Sequence, residues 1–230
     1  MEALEKTDDP ELESEITHLR IKSIGLGPAD GLPLTDSLKD EWPRGRCSSC
    51  GTEADVRSMK DHVFSCSLRR PEGLTLPSGN DRFFTLLMMG ENGLSTYWLY
   101  AAARGNGTLN DLDRFIRETW VECCGHESEF AVEGKRFVAD HARHSGCTCA
   151  GMDVKMDQVL REGMTLDYEY DFGSTTEIQI LVAGEYDGNG NAEAIPVRLL
   201  ARNLEPLHVC ADCGIASATK ICRECIYEDE

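Results

Sequence analysis

Residues 164–172 read MTLDYEYDF, and this stretch decides the fold class. Met164, Leu166, Tyr168, Tyr170 and Phe172 alternate with Thr165, Asp167, Glu169 and Asp171. Successive side chains of a strand point to opposite faces, so a period of two predicts a strand with one apolar and one polar face. After a turn at Gly173–Thr175, EIQILV puts Ile178, Ile180 and Val182 on one face. The two strands are expected to pair antiparallel, with one face of the sheet wet.

Upstream, FFTLLMM (83–89) and STYWLYAAA (95–103) flank GENGL, the pattern of a hairpin with a glycine-containing loop. TLNDLDRFIRETW follows as a helix. Thr108 is placed to cap it, with Asp111 in the capping-box position, and Leu109, Leu112, Ile116 and Trp120 fall on one side. FAVEGKRFV turns at Glu133-Gly134 and reads as a second hairpin, and a brief helix is expected around Met156–Arg161, ended by Gly163. A last strand near Ile195–Leu200 completes an expected α+β unit over 83–205. Its sheet is small and mostly antiparallel, of roughly five or six strands, packed by one main helix. Asp167, Glu169 and Asp171 share a strand side, which an exposed antiparallel face explains without any catalytic role.

The chain carries 41 acidic and 23 basic side chains, a net charge of −18 over 230 residues. That balance argues against a broadly basic nucleic-acid surface and against binding to anionic membranes. Lysines are few, as a high-salt cytosol favours; an acidic mesophilic protein fits as well. The charge is uneven: residues 1–42 sum to −7, whereas 43–82 sum to +2 and form the one positive segment. Residues 1–42 read as an acidic, mobile tail with a short helix at Pro10–Leu19, and 71–82 read as a linker. The start, MEALEKTDDPELESE, is acidic and has no apolar signal core, so a cytoplasmic location is expected. In that compartment eleven cysteines read as metal ligands rather than disulfides.

Two cysteine patterns have the spacing of closed zinc sites. At the C-terminus, Cys210 and Cys213, then Cys222 and Cys225, form two CxxC knuckles, and residues 206–230 are read as a four-cysteine zinc module. In residues 43–70, Cys47 and Cys50 precede His62 and Cys66, a knuckle followed by two ligands four apart on a helix. This is the layout of a zinc finger with three cysteines and one histidine, with Val56, Met59 and Val63 as its small core. Four protein ligands leave no open coordination position, so both zinc ions are expected to be structural. Arg57 and Lys60 lie in the same positive segment, where a finger helix could touch nucleic-acid phosphates; a solvated face is the alternative. Cys123, Cys124, His126, His141, His144, Cys147 and Cys149 are left over. Their spacing is compatible with a third metal site, an oxidisable thiol pair or plain core packing.

Thr108, Leu109, Leu112, Trp120, His126, Phe130, Tyr168, Tyr170, Asp171, Phe172 and Gly173 occur in an order that resembles the plasmid pRiA4b ORF-three-like family, also labelled transposon passenger TnpR-like. The resemblance covers roughly 83–200 and implies a small α+β domain, with little about activity. The family continues its YDFG strand with acidic residues, a Trp and a His, whereas this chain has Thr176 and Ile178 at the last two positions. No phosphate-cradling glycine loop, GxSxG elbow or HExxH is present. The expected function is that of a non-enzymatic adaptor with two structural zinc ions, an unidentified protein partner and no membrane. The alternatives are a nucleic-acid-associated protein acting through the 43–70 finger, and a metal- or thiol-dependent enzyme using the central Cys/His cluster.

Overall fold

The computed structural model describes residues 43–68, 81–92, 95–121, 125–139, 148–188, 195–205 and Ile215. The expected tail at 1–42, most of the linker at 71–82 and the four cysteines of the C-terminal module lie outside them. Along the chain come β1 (Gly45–Cys47), β2 (Glu53–Ala54), α1 (Val56–Leu68), β3 (Asp81–Asn92) and β4 (Ser95–Arg104). Next are α2 (Leu109–Thr119), β5 (Ser128–Val132), β6 (Lys135–Val138), β7 (Ala150–Gly151) and α3 (Met156–Val159). Strands β8 (Thr165–Tyr170), β9 (Thr176–Gly188) and β10 (Val197–Asn203) complete the order.

All ten strands belong to one sheet, in the order β2-β1-β10-β4-β3-β9-β8-β5-β6-β7. Every neighbouring pair is antiparallel except β6 with β7. The class is therefore α+β with a mostly antiparallel sheet, as the alternation in 164–172 predicts. Its size is not: the sheet has ten strands where five or six were expected. The additions are short pieces at the two edges, and on one side β1 pairs with β10, Gly45 facing Asn203. Residues 45–47 of the 43–70 segment are thus hydrogen-bonded into the central sheet.

That extension changes how the sheet is covered. On β3, Phe84, Leu86 and Met88 point into a core shared with Leu109, Leu112 and Ile116 of α2. Leu87 and Met89 point the other way, into a second core with Val56, Met59 and Val63 of α1. A sheet buries whichever face meets an apolar helix stripe, and here each face meets one. The expectation of one main helix gives way to two, on opposite faces. The wet face survives on β8, where Leu166, Tyr168 and Tyr170 are fully buried while Thr165, Asp167 and Glu169 are half-buried.

Local signals act where expected. Thr108 caps α2 through a complete capping box: its side chain accepts from the Asp111 amide, and Asp111 accepts from the Thr108 amide. The β5–β6 hairpin turns on Glu133 (φ 48°) and Gly134 (φ 79°), both in the left-handed region that two-residue hairpin turns require. Helix α3 stops at Val159, short of Arg161. Gly163 (φ 82°) instead serves the turn into β8, where its amide donates to the Val182 carbonyl at 2.9 Å.

Candidate metal centre

Cys47 is the last residue of β1, and Cys50 lies in the turn that follows it. The turn is closed by the Gly51 amide donating to the Cys47 carbonyl (3.0 Å) and the Cys47 amide donating to the Thr52 carbonyl (2.9 Å). Gly51 adopts φ 76°, which a side chain would strain. The knuckle is also fixed to the sheet, because the Ser48 amide donates to the Leu200 carbonyl of β10 at 2.8 Å. The other two donors come from α1. Asp55 starts that helix by accepting from the Arg57 and Ser58 amides, each at 2.9 Å. Burial opposes the charge on Asp55, but these bonds and the Ser58 hydroxyl outweigh it and hold the carboxyl below its usual range. His62 and Cys66 then lie four residues apart, on one side of the helix.

The ligand atoms of Cys47, Cys50, His62 and Cys66 all fall within 4.8 Å of one another. Cys47 Sγ is 3.8 Å from Cys66 Sγ, and Cys50 Sγ is 3.2 Å from His62 Nε2. Zinc–sulfur bonds of about 2.3 Å and zinc–nitrogen bonds of about 2.0 Å give a tetrahedron with edges near 3.5–3.8 Å. The donor set is compatible with zinc in chemistry, and its separations lie near these edges. Within the cluster the thiols are unequal. Hydrogen bonds from the side chain and backbone of Thr52 bring Cys50 down to about 6, whereas burial, followed by its Cys50 and Cys47 neighbours, raises Cys66 to about 11. Cys47 is buried and Cys50 exposed, so the centre has one face in the protein and one at the surface.

The basic residues of this segment are partly committed elsewhere. Arg46 pairs with Glu53 at 2.6 Å, and Arg44 donates to the Glu53 carbonyl at 3.0 Å.

Of the remaining histidines and cysteines, Cys123, Cys124, His141, His144 and Cys147 lie outside the described residues. Cys149 is disulfide-bonded. His126 is half-exposed, and its Nδ1 lies 2.9 Å from Asp171 Oδ2. Asp171 sits just past β8 with φ 59°, and this left-handed turn takes it off the polar face of Asp167 and Glu169. The backbone of His126 is held at both ends: its amide donates to Tyr170 Oη (3.1 Å) and its carbonyl accepts from Arg117 (2.8 Å). Behind it, Asp113 is buried and accepts from Arg117 (2.7 Å), Ser128 (2.6 Å) and Tyr168 (2.9 Å). Burial, then the Asp113 charge, raises the Tyr168 hydroxyl far above its ordinary value. Sequence reasoning singles out His126 but neither Asp171 as its partner nor the Asp113 network. The positive φ at Asp171 that makes the contact has no glycine or asparagine to mark it.

Among the described residues, no helix is long and apolar enough to cross a membrane. No family model and no curated protein matches the chain. Among solved structures, it is similar to the crystal structure of a protein of unknown function, MM3350 from Methanosarcina mazei Go1. The two share 16% identity over 52% of this chain and 68% of that one, with a TM-score of 0.43.

Proposed function

We propose that the chain is a zinc-binding interaction module without enzymatic activity, in which structural metal shapes a surface offered to a protein partner. The observation that carries this reading is the convergence of Cys47, Cys50, His62 and Cys66 from a strand end, a turn and a helix. Four protein donors fill a tetrahedral ion, so no position remains for water or substrate. By the same donor chemistry, Cys210, Cys213, Cys222 and Cys225 hold a second ion. The central unit is grouped with the plasmid pRiA4b ORF-three-like family on the order of its motif residues, Thr108 to Gly173.

A second reading, a metal- or thiol-dependent enzyme, is favoured by the His126–Asp171 contact. A carboxylate on Nδ1 fixes the tautomer and presents Nε2 as an acceptor or ligand. Phosphate binding through the finger has less support, since Glu53 engages both Arg44 and Arg46. Metal content of protein purified under reducing conditions separates the first two readings. Two zinc ions per chain are expected, falling to one in Cys66→Ser and to one in Cys222→Ser. A third ion that is lost in His126→Ala moves the assignment to the enzyme. Protein without bound metal overturns the zinc reading altogether.

A further inference from the structure

The candidate metal centre joins two parts of the molecule, a strand of the sheet and the helix that lies over it. Cys47 belongs to β1, which is hydrogen-bonded into the sheet, whereas His62 and Cys66 belong to the helix that lies over it. Helix α1 buries Val56, Met59 and Val63 against Leu87, Trp98, Tyr100, Leu181 and Leu200. Besides these, Tyr100 Oη donates to the Val56 carbonyl at 2.9 Å, and the Phe64 ring sits directly over Gly184, its Cζ where a Cβ would have no room. The core on the opposite face contains no residue from 43–68 and is the larger of the two. Loss of α1 would therefore strip one face and leave the other packed.

We propose that the centre formed by three cysteines and His62 is a metal-operated clamp. With metal, α1 is held down; on metal release it leaves the sheet and uncovers the apolar face of Leu87, Trp98, Tyr100, Leu181 and Leu200, while the α2 side stays folded. This inference rests on the assignment of zinc to Cys47, Cys50, His62 and Cys66. It adds that the ion sets whether α1 covers one face of the sheet, where a purely structural ion would only complete a fold.

Trp98 is a natural reporter, buried with its indole N–H donating to the Pro43 carbonyl at 2.7 Å. The test uses the full chain under reducing conditions and follows tryptophan emission, binding of a hydrophobic dye and amide exchange. Cys66→Ser removes a ligand, Gly184→Val lifts Phe64 without touching one, and Cys222→Ser is the control at the C-terminal motif. Cys66→Ser is expected to shift emission to the red, bind dye and lose protection in α1 by more than about tenfold, with α2, β5 and β8 unchanged. Trp98→Phe should abolish the emission change. Gly184→Val should weaken cobalt binding at the centre under α1, and Cys222→Ser should leave Trp98 and α1 as they are. Metal loss that leaves α1 protected overturns the clamp but not the metal site, and so does loss of protection throughout the chain. A wild-type protein that binds no metal overturns both.

Discussion

Glu169 sits opposite Glu129 on one neighbouring strand and Glu177 on the other, on the uncovered side of the sheet. Arg136 pairs with Glu129, which leaves Glu169 in the middle of the row. Burial, then the charges of Glu129 and Glu177, raises the pKa of Glu169 above its ordinary value. A carboxyl whose folded pKa is raised binds its proton more tightly in the folded state. Its stabilising contribution is present below the ordinary value and is lost as pH rises through the raised one. At neutral pH Glu169 therefore works against the fold. Glu169→Gln should stabilise by roughly 0.2–1 kcal/mol, toward the lower end because the site is partly solvated. Urea unfolding at pH 7 should show the gain and at pH 4 should show little of it; an equal gain at both values would mean that charge is not its cause.

At the level of elements, what can be read from the sequence depends on how local the determining contacts are. Helix α2 is specified within itself: Thr108 and Asp111 close the capping box, and Leu109, Leu112 and Ile116 form the buried stripe. Thr108→Ala removes the side-chain acceptor and one half of the box, and should cost about 1 kcal/mol in chemical denaturation. The pattern of Cys47, Cys50, His62 and Cys66 is legible for the same reason, since a knuckle and an i, i+4 pair are short-range geometry. Strands β1, β2 and β7 are not, because three, two and two residues are too few to display alternation. The partner of β1 also lies at the far end of the described chain. Val56, Met59 and Val63 are plainly apolar, but their spacing cannot say whether they pack on one another or on a sheet. Burial of three such side chains is worth on the order of 1.5–3 kcal/mol each. That is less than the roughly 1–2 kcal/mol needed to order each of the thirteen backbone residues of α1. On the zinc reading, an ion held by Cys47, Cys50, His62 and Cys66 would supply the difference, since structural zinc in small modules binds with about 10–16 kcal/mol even after the chain is ordered.

For the molecule as a whole, the central strands serve two cores at once, and neighbouring residues on β3 answer to different partners. Leu86 is buried against the α2 side and Leu87 against the α1 side, both without measurable exposure. Truncating either leaves a cavity of similar chemistry, so Leu86→Ala and Leu87→Ala should each cost about 2–5 kcal/mol in urea unfolding. Their effect on metal should differ. Leu87 lies under the helix that supplies His62 and Cys66, so its loss should lower cobalt affinity at that centre, whereas Leu86→Ala should leave it unchanged because its cavity opens on the far side. Cobalt titration of both variants, with the C-terminal motif removed by Cys222→Ser in each, reads this difference directly. Equal affinities would mean that the sheet passes strain from one face to the other, and that the two cores act as one cooperative unit despite their separate helices.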